Sequence, residues 1–172
     1  YSMDAEGVVL DGVYGLDTQA FVIFARGQYY RVSGGGKAVA LAVGTLQFIG
    51  GHFRLPDRPG LVGVLDEKLR PLDEVRRHGS HMHLLEACLF AAETSSDPLY
   101  RQVADELTDL FLNYFYDRES NLLSEYYTDM LKPKKQHGNI VVEPGHYCEW
   151  IWLLKKHARL HDDPARYDAI CK

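Results

Sequence analysis

The chain repeats itself. Three polar turns resemble one another: Tyr1-Ser-Met-Asp4-Ala-Glu-Gly-Val-Val, Val64-Leu-Asp66-Glu-Lys-Leu-Arg-Pro-Leu and Tyr127-Thr-Asp129-Met-Leu-Lys-Pro-Lys. Their aspartates Asp4, Asp66 and Asp129 stand 62 and 63 residues apart. A period of this length marks a stack of one supersecondary unit, which cannot bury its own apolar face and needs neighbours to do so. The units span about 1–50, 51–117 and 118–172 of a single domain. Short apolar flanks such as Leu61-Val62-Gly63-Val64-Leu65 predict a small β-hairpin at each turn.

After each turn comes a segment with apolar residues at helical spacing: Gln19–Tyr30, His83–Glu93 and Glu149–Ala158. All three are apolar nearly all round, which predicts burial on both faces. Each ends at a breaker, Ser33-Gly34-Gly35-Gly36, Ser96-Asp97-Pro98 or Asp162-Asp163-Pro164. In the latter two, Asp caps a following helix and Pro takes its first position. The second helix of each pair is amphipathic, best seen over Leu99–Tyr116, with Val103, Leu107, Leu110, Phe111, Tyr114 and Phe115 on one stripe. The unit is therefore hairpin, inner helix, outer helix, and the fold class is all-α. The period alone leaves two architectures open: a ring of helical hairpins (an α/α toroid) or an open solenoid.

Residues at the inner-helix starts favour the ring. The second opens His78-Gly-Ser-His81-Met-His83-Leu-Leu-Glu86 and the third Glu143-Pro-Gly-His146-Tyr-Cys-Glu149-Trp150. Each carries a His followed by Glu at i+3, and residues three apart share a helix face. Ser80 is the expected N-cap of the second. The positive end of the helix dipole disfavours imidazolium, so His83 and His146 are expected to be neutral and able to accept a proton. Glu86 and Glu149 would orient the rings or bind hydroxyls, and Trp150 would offer an aromatic surface. A histidine at a helix start is more often a cap or a surface residue. Two equivalent pairs at equivalent points of a repeat argue against that, although a repeat can also copy a structural cap. Trp152 is assigned to the core. His81 and His137 carry no comparable argument, and His157 and His161 read as polar positions late in a helix, favourable to its C-terminus. Two His and two Glu on facing helices could also hold a divalent ion. The additional glutamates of a dicarboxylate iron site are missing, and no metal or other cofactor is assigned.

Composition narrows the rest. Of the 172 residues 46% are hydrophobic, enough for a packed core, and the formal charge is −5. No basic run longer than Lys132–Lys135 occurs, which argues against nucleic acid and anionic membranes. No apolar stretch reaches the ~18–20 residues of a membrane span. Cys88 and Cys148 fall in apolar helical patterns and, with Cys171, read as thiols of a reducing, cytoplasmic compartment, the first two buried. The chain begins at Tyr1 in mid-pattern, which leads us to expect a partial sequence. Gly79-Ser80-His81-Met82 runs without a break into a helix and is taken as native.

At these residues the sequence resembles the N-acylglucosamine 2-epimerase superfamily, which includes cellobiose 2-epimerase and mannose isomerase. The matches are Met82-His83-Leu-Leu-Glu86-Ala87, Glu143-Pro144-Gly145-His146 leading to Glu149-Trp150 and Trp152-Leu-Leu, and more weakly Gln19–Ala25. The resemblance implies an (α/α)6 toroid of which about three of six repeats are present, with a sugar site at its mouth and no required metal. It also implies proton abstraction at C2 of an open-chain aldose. His146 is then an acid/base residue, while His83 and Glu149 line the pocket. The family's second acid/base histidine belongs to a later repeat, and an Arg expected from an earlier inner helix is missing. Gly79-Ser80 stands where the family carries Asn-Pro-like residues. The expected partner is a small sugar. Three repeats also leave two apolar edges that a second copy could cover. Two other readings remain: an inactive or sugar-binding half-toroid, and a glycan-degrading toroid hydrolase, which would need inward carboxylic acids.

Overall fold

The computed structural model describes residues 2–72 and 75–168. Its three inner helices are α1 (Leu16–Ser33), α3 (His78–Thr94) and α5 (Pro144–Leu160). Outer helices α2 (Gly36–His52) and α4 (Pro98–Leu110) cover them, and α4 runs on into a π-helical turn, Phe111–Phe115. α3 packs against α1, α4 and α5, and α1 also against α2. The inner helices run the same way. Phe21 meets His83 near the N-termini of α1 and α3, Gly79 lies against His146, and Lys156 reaches Glu93 at the far ends of α3 and α5. The result is half of an α/α toroid, with all inner N-termini at one mouth.

Small antiparallel ribbons stitch the mouth together. β1 (Ser2–Met3) pairs with β2 (Val9–Asp11), and β6 (Tyr116–Asp117) with β7 (Leu122–Leu123). Between units, β3 (Tyr14–Gly15) pairs with β4 (Val64–Leu65), and β5 (Arg76–Arg77) with β8 (Tyr126–Tyr127). The strand that leads into one inner helix is thus bonded to the hairpin of the next unit.

The repeat is tighter than the aspartates imply. Gly7, Leu69 and Leu131 adopt the left-handed backbone at φ 85°, 61° and 54°, at successive spacings of 62. Three residues before each, Asp4, Asp66 and Thr128 accept backbone N–H bonds on a side-chain oxygen. The third turn therefore belongs to Thr128, not Asp129. An Asp and a Thr can each close such a turn, which is why the turn survives the exchange. Asp129, one place out of register, instead accepts from buried Arg76 at 3.2 Å and pairs with Arg58. The stretch from turn to inner helix is also longer in the third unit. Its inner helix opens at 144, where the earlier ones open at 16 and 78, and a Gln136–Asn139 bridge lies in the added stretch.

Several expectations need correction. Only α3 is buried nearly all round; α1 leaves Phe21, Tyr29 and Val32 exposed, and α5 leaves Ile151 and Trp152, because each of these helices has an inner-helix neighbour on one side only. Ser80 is no cap. β5 runs straight into α3, whose N-cap position is Arg77 without a side-chain bond. Asp97 does cap α4, its carboxylate accepting from Leu99 N at 2.9 Å with Pro98 in the first turn. Asp162-Asp163-Pro164 leads into turns, not a helix, as far as residue 168. The π-turn rotates the end of the α4 stripe, so Phe111 and Phe115 are buried while Tyr114 faces out. Cys88 is buried and Cys148 exposed; Cys171 lies outside the described residues. No helix among the described residues is long and apolar enough to cross a membrane.

Candidate functional site

The turn between β7 and β8 carries Glu125 and is held from three sides. Leu123 N donates to Tyr147 Oη of α5 at 2.7 Å, Glu125 N to Val141 O at 2.9 Å, and Ser124 N to Tyr127 Oη at 3.0 Å. Tyr127 Oη in turn donates to Phe115 O at 2.8 Å, and burial pushes its pKa up, so it stays a phenol. A short loop bonded in this way fixes its acidic residue in place.

One oxygen of Glu125, Oε1, then meets two imidazoles. His78 Nε2 lies at 3.0 Å and His146 Nδ1 at 2.9 Å. The His78 tautomer is dictated from behind. Trp150 Nε1, which can only donate, bonds His78 Nδ1 at 3.0 Å, so the His78 proton sits on Nε2 and points at the carboxylate. Burial alone would raise the Glu125 pKa. Hydrogen bonds from His78 and His146 outweigh it and hold the carboxyl below its ordinary value. An ionised Glu125 accepts from His146 Nδ1–H, which makes Nε2 the basic nitrogen of that ring. That nitrogen has no hydrogen bond among the described residues, and the side chain is partly exposed.

The second group lies between α1 and α3. His83 Nδ1 stands 3.6 Å from Glu86 Oε2, an ion-pair separation too long for a hydrogen bond, and its ring packs on Phe21 at 4.9 Å. The Glu86 carboxylate raises the His83 pKa, opposed by burial, with Glu149 and Asp17 adding to the rise. The expected direction for His83 is therefore reversed: neighbouring carboxylates, Glu86 foremost, raise its pKa against burial. Glu149 is exposed and acts on His83, while Glu125 has taken the orienting role at His146. A depression of about 330 Å³, lined by Asp17, Gly63, Val64, Val75, Arg77 and Ser80, opens between the first turns of α1 and α3. Larger grooves lie along the α1–α2 flank, away from these histidines.

The two tryptophans exchange their expected places. Trp150 is buried and stacked on Phe111 at 4.1 Å, so it supports the site from the core. Trp152 is exposed beside Phe90. His157, expected as a polar position near the helix end, is fully buried. The two His/Glu pairs of the sequence do not form a metal set; His78, Glu125 and His146 come together instead. A cation there would need a lone pair on His78 Nε2, which the Trp150 bond to Nδ1 assigns to a proton.

The sequence pointed to His146, His83, Glu86 and Glu149 but not to His78 or Glu125. With Ser80 read as the N-cap, His78 stood ahead of the first helical turn and no role was assigned to it. Glu125 lies in a turn without periodicity, 47 residues from His78 and 21 from His146. The available signal was an acidic residue in a turn directly before a Tyr-Tyr strand, and it is weak.

The sequence and the fold both have known relatives. A model of the family described as N-acylglucosamine 2-epimerase (GlcNAc 2-epimerase) matches residues 1–171. Mannose-6-phosphate isomerase of Rhizobium meliloti (strain 1021) is 29% identical over 175 residues, covering 90% of this chain and 40% of that protein. Cellobiose 2-epimerase from Spirochaeta thermophila DSM 6192 superposes with a TM-score of 0.87 at 24% identity, covering 99% of this chain and 45% of that one. A D-mannose isomerase structure gives 0.80 at 21% identity, with 96% and 44% covered. The chain spans less than half the length of each of these proteins.

Proposed function

Because the chain belongs to the N-acylglucosamine 2-epimerase family, we propose that it carries one proton-transfer site of a carbohydrate epimerase or isomerase, with His146 as the base at C2 of an open-chain aldose. The observation that carries this reading is the shared oxygen of Glu125. By taking His146 Nδ1–H at 2.9 Å, it leaves the Nε2 lone pair for substrate. His146 Nε2 removes the C2 proton, the C–H electron pair becomes the C1–C2 double bond, and the C1 carbonyl becomes an enediolate oxygen. His83, biased toward its protonated form by Glu86, is placed to donate to a sugar oxygen, with Glu149 accepting from a hydroxyl. One base suffices to carry a proton from C2 to C1 on the same face, giving aldose–ketose isomerisation. Inversion at C2 needs a second carrier on the opposite face, and the reading places it outside these three repeats. A hydrolase would need a protonated carboxyl acid, and Glu125, held low by two imidazoles, is unsuited to that role.

The test is exchange at C2 in D2O, followed by proton NMR, with mannose, glucose, N-acetylglucosamine, N-acetylmannosamine and mannose 6-phosphate as substrates. Deuterium should enter C2 of at least one. His146→Ala should lower the rate by ~10²–10⁴-fold, the usual share of a general base. Glu125→Gln, which keeps the shape but not the charge, should lower it by ~10²-fold with KM nearly unchanged. Exchange that survives His146→Ala would overturn the assignment. A folded chain that binds sugar without exchange would instead support the binding-only half-toroid.

A further inference from the structure

At the end of the molecule away from the mouth lies a second cluster that the proposed chemistry does not use. His157 and His161 stand four apart at the end of α5, so both rings fall on one face. Asp105, in the second turn of α4, reaches both: its Oδ1 is 2.7 Å from His157 Nε2 and 2.7 Å from His161 Nε2. The three ligand atoms lie within 4.8 Å of one another. Around a zinc-sized ion with ligands at ~2.0–2.1 Å, tetrahedral neighbours stand about 3.3 Å apart, so small side-chain adjustments make room.

The mouth triad, whose geometry is similar, shows what distinguishes this cluster. There an indole N–H fixes one imidazole in the tautomer that cannot bind a cation. Here the group behind His157 is Tyr167 Oη, at 2.9 Å from Nδ1, and a hydroxyl can donate or accept. His157 can therefore carry its proton on Nδ1, donate that N–H to Tyr167 Oη, and leave the Nε2 lone pair free. Burial lowers the His157 pKa, which favours the neutral ring. His161 and Asp105 are partly exposed and leave an open approach. The carbonyl end of α5 also favours a cation. Arg166 opposes one, and it is offset by Asp105, Asp109 and Asp163, which with it surround Tyr167.

We propose that Asp105, His157 and His161 bind a divalent transition-metal ion of the zinc class, clamping outer helix α4 to the end of inner helix α5. Water completes the coordination shell. The ion takes the place of the His157–Asp105 hydrogen bond and of the His161–Asp105 contact.

Metal-free chain is titrated with Co²⁺, followed by its d–d absorption, and with Zn²⁺, followed by the thermal midpoint. The expected result is one equivalent bound and a midpoint raised by Zn²⁺. His161→Ala and Asp105→Asn alter partly exposed residues and should keep a native circular dichroism spectrum; each should weaken binding by about tenfold or more. His146→Ala should bind as the parent does. The proposal is overturned by a folded chain that binds neither ion at about 1 mM, by binding that survives both His161→Ala and Asp105→Asn, or by binding lost in His146→Ala.

Discussion

His81 shows how much one buried side chain can impose. Its Nε2 accepts from Leu61 N at 2.9 Å and its Nδ1–H donates to Arg77 O at 3.0 Å, so both ring positions are spoken for. Gly60 makes the contact feasible: at φ 69°, a Cβ there would stand 3.0 Å from Nε2. Burial, opposed by the Arg77 carbonyl and helped by the charge of Arg76, lowers the His81 pKa to about 4. The unfolded chain takes up this proton near pH 6.5, and the folded chain resists it until about 4. The stability involved is intact above pH 6.5 and is lost as pH falls toward 4, amounting to about 3 kcal/mol. His81→Gln can keep both bonds without titrating. Thermal midpoints of parent and variant should therefore diverge across that window, and parallel curves would remove His81 as the cause. His83, with a raised pKa, acts in the opposite sense: its pairing with Glu86 is complete below pH 6.5 and fades as pH rises through its folded value. Neither behaviour was legible in the sequence, because proximity to a helix start counted for less than which groups were folded against each ring.

At the scale of elements, helix punctuation was readable wherever a local interaction decided it. Asp97-Pro98 caps α4, and Gly34, left-handed at φ 67°, ends α1. Asp97→Ala should cost about 1 kcal/mol and lower the thermal midpoint by about 2–4 °C, checked by differential scanning calorimetry. An unchanged midpoint would mean that packing alone sets the start of α4. Boundaries set by tertiary bonding were less visible. α3 begins at His78 because β5 is tied to β8, and no residue near Ser80 announces it. Asp129 mimicked a turn residue in the sequence, whereas the bonded turn uses Thr128, since a one-residue offset leaves composition and apolar pattern almost unchanged.

The described residues form a half-ring, and its burial is uneven as a result. The central inner helix is enclosed, and the flanking ones are not. Phe21, Tyr29, Val32 and Leu41 lie exposed on α1 and α2, and Ile151 and Trp152 on α5. Apolar surface left in this arrangement favours association, since each Å² covered contributes ~25 cal/mol. The chain on its own should sediment as species larger than its 19.6 kDa, with the fraction rising with concentration. Charged replacements at Tyr29 and Val32 should shift it toward the monomer. A monomer at all concentrations would show that the flanks tolerate water. The period left ring and solenoid open, and the ring became legible through the residues at the inner-helix starts. The asymmetry between centre and flanks was not legible, because all three inner helices carry similar patterns and differ only in their neighbours.

The chain holds only two tryptophans, placed in opposite surroundings. Trp150 is sealed against Phe111 with its indole N–H tied to His78, and Trp152, two residues along the same helix, faces water. The protein thus contains two natural fluorophores, one enclosed and one wet. The enclosed one reports directly on the hydrogen-bonded chain that ends at His146, and an external quencher acts first on the other.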